Sequence, residues 1–119
     1  MDARRTVGNI GEAQAVKYLE NLGYRILARQ WRKLPWGEID IIALEKDELV
    51  FVEVKARRSL EYGFPEAAVT RSKRQKIAKL IEWYLQSKRI SNRPYRFDVI
   101  SIEYKDQTPV INHIRSVEV

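Results

Sequence analysis

The stretch Gly37-Glu38-Ile39-Asp40-Ile41-Ile42-Ala43-Leu44-Glu45-Lys46-Asp47-Glu48-Leu49-Val50-Phe51-Val52-Glu53-Val54-Lys55 decides the reading of this chain. Two β-rich segments, Glu38 to Leu44 and Glu48 to Ala56, flank a short polar turn at Lys46-Asp47, the pattern of a hairpin. If the turn is centred between Lys46 and Asp47, Asp40 faces Glu53 and Glu38 faces Lys55. An odd-length turn would shift this register and separate the two carboxylates. Leu49 to Val54 is an apolar run suited to a central strand, broken only by Glu53. Lys55 follows two residues later and so points to the same face as Glu53. Opposed side chains in an antiparallel pair lie about 5 Å apart, so facing carboxylates repel. A hard divalent cation such as Mg²⁺ or Mn²⁺, which prefers carboxylate oxygens, would offset that repulsion. In a chain one-third charged, the same residues also fit a solvated ion pair.

Working outward, Ile10 to Leu22 reads as a helix stopped by Gly23, with Ala15, Val16, Leu19 and Leu22 on one face. Glu12 falls within this apolar arc. It either flanks the helix start beside Gly11 or aims a carboxylate inward at the sheet. Tyr24 to Trp31 reads as a strand, followed by a turn at Leu34-Pro35-Trp36-Gly37. Beyond a loop at Gly63-Phe64-Pro65, a second helix runs from about Arg71 to Lys88. Thr70 is its N-cap, and Ile77, Leu80, Ile81, Tyr84 and Leu85 form its buried stripe. Tyr95 to Tyr104 and Val110 to Val117 read as the last strands. The order α-β-β-β-α-β-β gives an α/β domain spanning residues 1–119, a mixed sheet flanked by helices.

Composition narrows the chemistry. Absence of Cys excludes disulfides, zinc–thiolate sites and thiol nucleophiles. No apolar run approaches the roughly 20 residues that span a bilayer, and the first residues are polar, so no membrane partner and a cytoplasmic location are expected. The net charge of +6 is unevenly spread. Residues 57–96 hold 11 Lys/Arg against 3 Asp/Glu, whereas the remainder holds 11 against 13. A contiguous basic third suits phosphate backbones. Arg57, Arg58, Tyr62, Arg71, Lys73, Arg74 and Lys76 are the candidate nucleic-acid contacts. Four of these cations crowd the start of the second helix, where the helix dipole opposes them and a phosphate would relieve them. Lys73 also continues the stripe of Ile77 and Leu80 toward the sheet.

Asp40 in Gly37-Glu38-Ile39-Asp40, followed by Glu53-Val54-Lys55, resembles the PD-(D/E)xK nuclease motif, without the usual Pro beside the Asp. Across nearly the full length the chain resembles the YraN-like family. The matching segments are Gly11-Glu12-Ala13, Gly37 to Asp40, Phe51 to Lys55, Pro65-Glu66-Ala67-Ala68-Val69 and Arg96-Phe97-Asp98-Val99. That family is similar to archaeal Holliday-junction resolvases, so the resemblance implies a restriction-endonuclease-like fold. It further implies a Mg²⁺ or Mn²⁺ site from Asp40 and Glu53, Glu12 as the helix carboxylate, and Lys55 as the catalytic lysine. Phosphodiester hydrolysis of DNA, branched or junction DNA above all, would follow. The alternative is a nucleic-acid-binding module of the same fold without activity.

Other residues carry weaker expectations. Asp98, within an apolar strand, is expected to pair with a base of the second helix, and the lone His113 to be structural. Trp83, off the helix stripe, and the edge of the last strands are candidate contacts of a symmetric homodimer, which would supply two cutting centres.

Overall fold

The computed structural model describes residues 3–57, 70–106 and 108–119, with side chains of the first helix from Asn9 onward. The elements follow the expected order: α1 (Ala3–Asn21), β1 (Arg25–Lys33), β2 (Gly37–Glu45), β3 (Glu48–Arg57), α2 (Arg71–Ser87), β4 (Tyr95–Lys105) and β5 (Thr108–Ile114). The five strands form one mixed sheet in sequence order. Only β3 and β4 pair in parallel, and α2 lies in the connection between them. The fold is therefore α/β. No described helix is long and apolar enough to cross a membrane. Arg58, Tyr62, the Gly63-Phe64-Pro65 loop and the Pro65 to Val69 segment lie outside the described residues.

The period-2 pattern of the central strands sends alternate residues to the two helices. Ala15 and Leu19 of α1 pack on Ile41, Ala43, Val50, Val52, Ile100 and Ile102. Ile77, Leu80, Ile81 and Tyr84 of α2 pack on Ile39, Ile42, Leu49, Phe51, Phe97 and Val99. The stripe expected for α2 is thus observed, and Thr70 caps it by accepting a hydrogen bond from the Lys73 N–H at 3.2 Å. The expected start of α1 was seven residues late, because Ala3 to Asn9 lacks the apolar periodicity that marks the rest. Leu22 lies past the end of α1 and is exposed rather than part of its buried face.

Asp98 is fully buried but pairs with Arg96 and His113, not with α2. The reason is parity: Asp98 shares its face with Ile100 and Ile102, which meet α1, while α2 covers the opposite face. Arg96 donates to Asp98, Glu45, Glu48 and the Tyr24 hydroxyl, and Tyr18 bonds the other His113 nitrogen. Burial alone would raise the Asp98 pKa. The bonds from His113, Arg96 and the Ser116 N–H hold it below the ordinary range. Trp83 is likewise half-buried within the chain, its ring 5.8 Å from Trp36 and beneath the Lys33 ammonium.

Helix α1 sits unusually close to the sheet at Gly11. A Cβ at that position would lie 2.5 Å from the Cβ of Ala56 in β3, a contact that only movement of the helix relieves. Gly11→Ala is therefore expected to lower stability by about 1–3 kcal/mol, although Ala is the better helix former by about 1 kcal/mol. Thermal unfolding checks this, and an unchanged or raised Tm would contradict it.

Candidate metal and phosphodiester site

The β2–β3 register is the one expected from a turn centred between Lys46 and Asp47, with Glu45 opposite Glu48 and Ile41 opposite Val52. The backbone pairing stops at Ile41–Val52, one residue short of Asp40 and Glu53. Beyond it the side chain of Asp40 takes over: its Oδ2 accepts a hydrogen bond from the Val54 N–H at 2.8 Å. Glu38 does not meet Lys55, as a continued ladder would require, and pairs with Arg32 at 2.8 Å.

The irregularity has a cause on both neighbours of Asp40. In β1 the register passes from Arg29–Ile41 to Trp31–Ile39, and Gln30 between them adopts a left-handed φ of 51°. Along β2, Ile39 belongs to the α2-side core and Ile41 to the α1-side core, although residues two apart on a flat strand share a face. The strand therefore rolls at Asp40. Its carboxyl sits at the fork of β2 and β3, neither wholly on one face nor on the other.

Around that carboxyl lies an open cavity of about 580 Å³, lined by Asn9, Glu12, Arg29, Gln30, Arg32, Glu38, Asp40 and Val54. Glu12 does point inward and is 6% exposed. Its two oxygens take hydrogen bonds from Arg29 at 3.1 Å and Gln30 at 3.2 Å. Burial, then the charge of Glu53, pushes the pKa of Asp40 from 3.8 up to about 7, with Glu12 and Glu38 adding to the repulsion.

On the α2 side, Glu53 Oε1 meets two ammonium groups, Lys73 Nζ at 2.9 Å and Lys55 Nζ at 3.3 Å. Burial, then the adjacent Lys73, lowers the pKa of Lys55, against the pull of Glu53. For Lys73, burial acts against the charge, but the bond to Glu53 and the nearby carboxylate of Asp40 hold its pKa above the ordinary value. The other cations expected to bind nucleic acid diverge. Lys76 reaches toward Gly37 at the start of β2, while Arg71 and Arg74 line a separate cavity of about 250 Å³ with Gln75, Glu118 and Val119. Arg57 ends β3 in register with the buried Glu103 of β4.

Residues 11–102 match the model of the uncharacterised protein family UPF0102. The chain belongs to that family. A UPF0102 protein of Caldicellulosiruptor saccharolyticus is 43% identical over 95% of this chain and 97% of its own length. One from Syntrophus aciditrophicus is 48% identical over 84% of this chain and 78% of its own. One from Herpetosiphon aurantiacus is 36% identical over 99% and 98%. The resemblance read from the motif segments thus holds at family level, and the match spans Gly11, Asp40, Glu53, Lys55, Lys73 and Asp98.

Two features of the site escaped the sequence. Glu38 carried a signal, because it is two residues from Asp40 on the same strand. Arg29 and Gln30 carried none, since their approach to Glu12 depends on the left-handed turn of β1.

The residues present suit a hard cation in one particular way. Among the described residues no three Asp, Glu or His side chains gather closely enough to form a ready-made cage. Mg²⁺, however, is commonly held by one or two carboxylates, with waters and substrate phosphate completing its shell. Asp40 and Glu53 match that donor set, and burial, with Glu53 beside it, opposes the charged form of Asp40, a cost that a bound cation would offset.

Asp40→Asn is expected to stabilise the metal-free protein, because the native state disfavours the charged carboxyl. A raised folded pKa means stability is fully present below the unfolded value of 3.8 and is lost as pH rises through about 7. The advantage of the variant should therefore grow from about pH 4 and level off above pH 7, at roughly 4 kcal/mol. Urea unfolding across that range measures it, and a pH-independent difference would refute the assigned repulsion.

Proposed function

We propose that this chain is a divalent-metal-dependent endonuclease acting on DNA, structure-selective for branched or junction substrates. The observation that supports this best is the pairing at the β2–β3 fork: a half-buried Asp40 that lines an open cavity and is repelled by Glu53, which in turn holds two lysines. Buried carboxyls with strongly raised pKa values cluster at catalytic sites. Asp40 and Glu53 would hold Mg²⁺ or Mn²⁺. Bound there, the cation supplies Lewis-acid chemistry that makes water a nucleophile near neutral pH and steadies charge on a phosphoryl oxygen.

The remaining roles fall to the chain. Val54 N–H fixes one Asp40 oxygen, and Asp40 lines the cavity. Lys55, its ammonium destabilised by burial and by Lys73, is placed to orient the attacking water or to neutralise the pentacovalent phosphorus centre. Glu12 stands on the cavity wall as a fixed negative charge held by Arg29 and Gln30, a further acidic neighbour of Asp40 rather than one of a three-carboxylate cage. Basic residues of α2 would steer the phosphate backbone toward the fork. Cutting two strands of a junction requires a second centre, which a two-fold homodimer in the cytoplasm would provide. Since Trp83 is engaged by Trp36 and Lys33, the exposed edge strand β5 is the better place to look for that contact.

The test is a cleavage assay on four-way junction, flap and linear duplex DNA with Mn²⁺, comparing wild type with Glu53→Gln. Metal-dependent cleavage of a branched substrate that falls at least a hundredfold in the variant is expected, since loss of a metal ligand removes several kcal/mol of transition-state stabilisation. Salt-sensitive binding without cleavage by the wild type would instead establish the non-catalytic binding module.

A further inference from the structure

Lys73 holds the shorter of the two ion pairs to Glu53 Oε1, 2.9 Å against 3.3 Å for Lys55, although it comes from another element of the fold. Its backbone is fixed: it is the third residue of α2, and its N–H donates to the cap Thr70. The side chain is not fixed in the same way. It is 31% exposed and ends a four-carbon stem. An ammonium at a helix N-terminus is opposed by the helix dipole, so it stays there for an acidic partner or an anion.

Charge counting at the fork then has a consequence. Two carboxylates, Asp40 and Glu53, face two ammonium groups, Lys55 and Lys73, and the formal charges cancel. A divalent cation entering this set leaves a positive surplus on the same oxygens. Lys55 is tied to Glu53 by the strand they share. Lys73 can leave by rotation of its stem. Ser101 Oγ, fully buried and without a hydrogen-bond partner among the described residues, occupies the β4 position in register with Lys55, so an acceptor for the strand lysine already stands beside it.

We propose that Lys73 is an internal counter-cation, holding Glu53 while the metal site is empty and released toward a substrate phosphate when a divalent cation takes Glu53. This rests on the reading that Asp40 and Glu53 hold that cation. It makes Lys73 a competitor of the metal and a partner of the phosphate at once. Arg71 and Arg74, which face the separate cavity with Glu118, have no such double role.

Calorimetric titration of the metal-free protein with MnCl₂ tests this without reference to turnover. Lys73→Gln removes the competitor and should tighten Mn²⁺ binding roughly two- to fivefold, the scale of one partly exposed ion pair. Lys73→Arg keeps the charge and should bind Mn²⁺ about as wild type does. Thermal unfolding of each variant confirms that the fold is kept. If Lys73 were only a structural tie between α2 and β3, Lys73→Gln would lower the Tm and leave Mn²⁺ affinity unchanged or weaker. That result, with clear Mn²⁺ binding by wild type, overturns the counter-cation alone. Absence of Mn²⁺ binding in wild type and Lys73→Gln alike overturns the metal reading, and the inference with it.

Discussion

The hydrogen bond from Val54 N–H to Asp40 Oδ2 is the contact on which the site depends. It replaces the backbone pair that the β2–β3 ladder would otherwise form at that point, so the strands part without leaving this donor bare. Parting gives room to Glu53 and Lys55 on a central strand whose core, Leu49 to Val54, is otherwise apolar. It also leaves the second Asp40 oxygen uncommitted. A carboxylate used as a strand spacer would ordinarily be a poor choice, because burial and the neighbouring Glu53 oppose its charge. Its presence makes sense if the charge is wanted there.

Two charged clusters in this small fold differ in how well they are satisfied. Toward the β2–β3 turn, Arg96 is bonded to Asp98, Glu45, Glu48 and Tyr24, and His113 closes the chain to Tyr18. Breaking such a buried network by removing one member typically costs 3–5 kcal/mol, but it has no group left over with which to do chemistry. At the fork the balance is different. Asp40 titrates near neutrality, two lysines share one Glu53 oxygen, and Ser101 Oγ, in register with Lys55, has no hydrogen-bond partner among the described residues. The first cluster holds β4 and β5 to the α1 face; the second borders an open cavity through Asp40.

Much of this was legible from residue order. The hairpin register follows from the Lys46-Asp47 turn, and the stripe of α2 from the spacing of Ile77, Leu80, Ile81 and Tyr84, with Thr70 as its stop. Family membership was legible from the segments around Asp40 and Glu53. What the sequence hid were departures from ideal strands. A left-handed Gln30 and the roll at Asp40 are tertiary outcomes of packing β1 and β2 between two helices, and no local propensity announces them. Hence Glu38 turned to Arg32 rather than Lys55. The misassigned partner of Asp98 is a different case, since period-2 parity already placed it on the α1 face, away from α2.

The central claim is that the β2–β3 fork holds a divalent cation between Asp40 and Glu53. Anomalous diffraction from crystals soaked in MnCl₂ tests it most directly. A manganese peak is expected within coordination distance of one oxygen of each carboxylate, absent from crystals of the Asp40→Asn protein. A fully occupied crystal with no peak at the fork, or with manganese bound only at remote surface carboxylates, would contradict it.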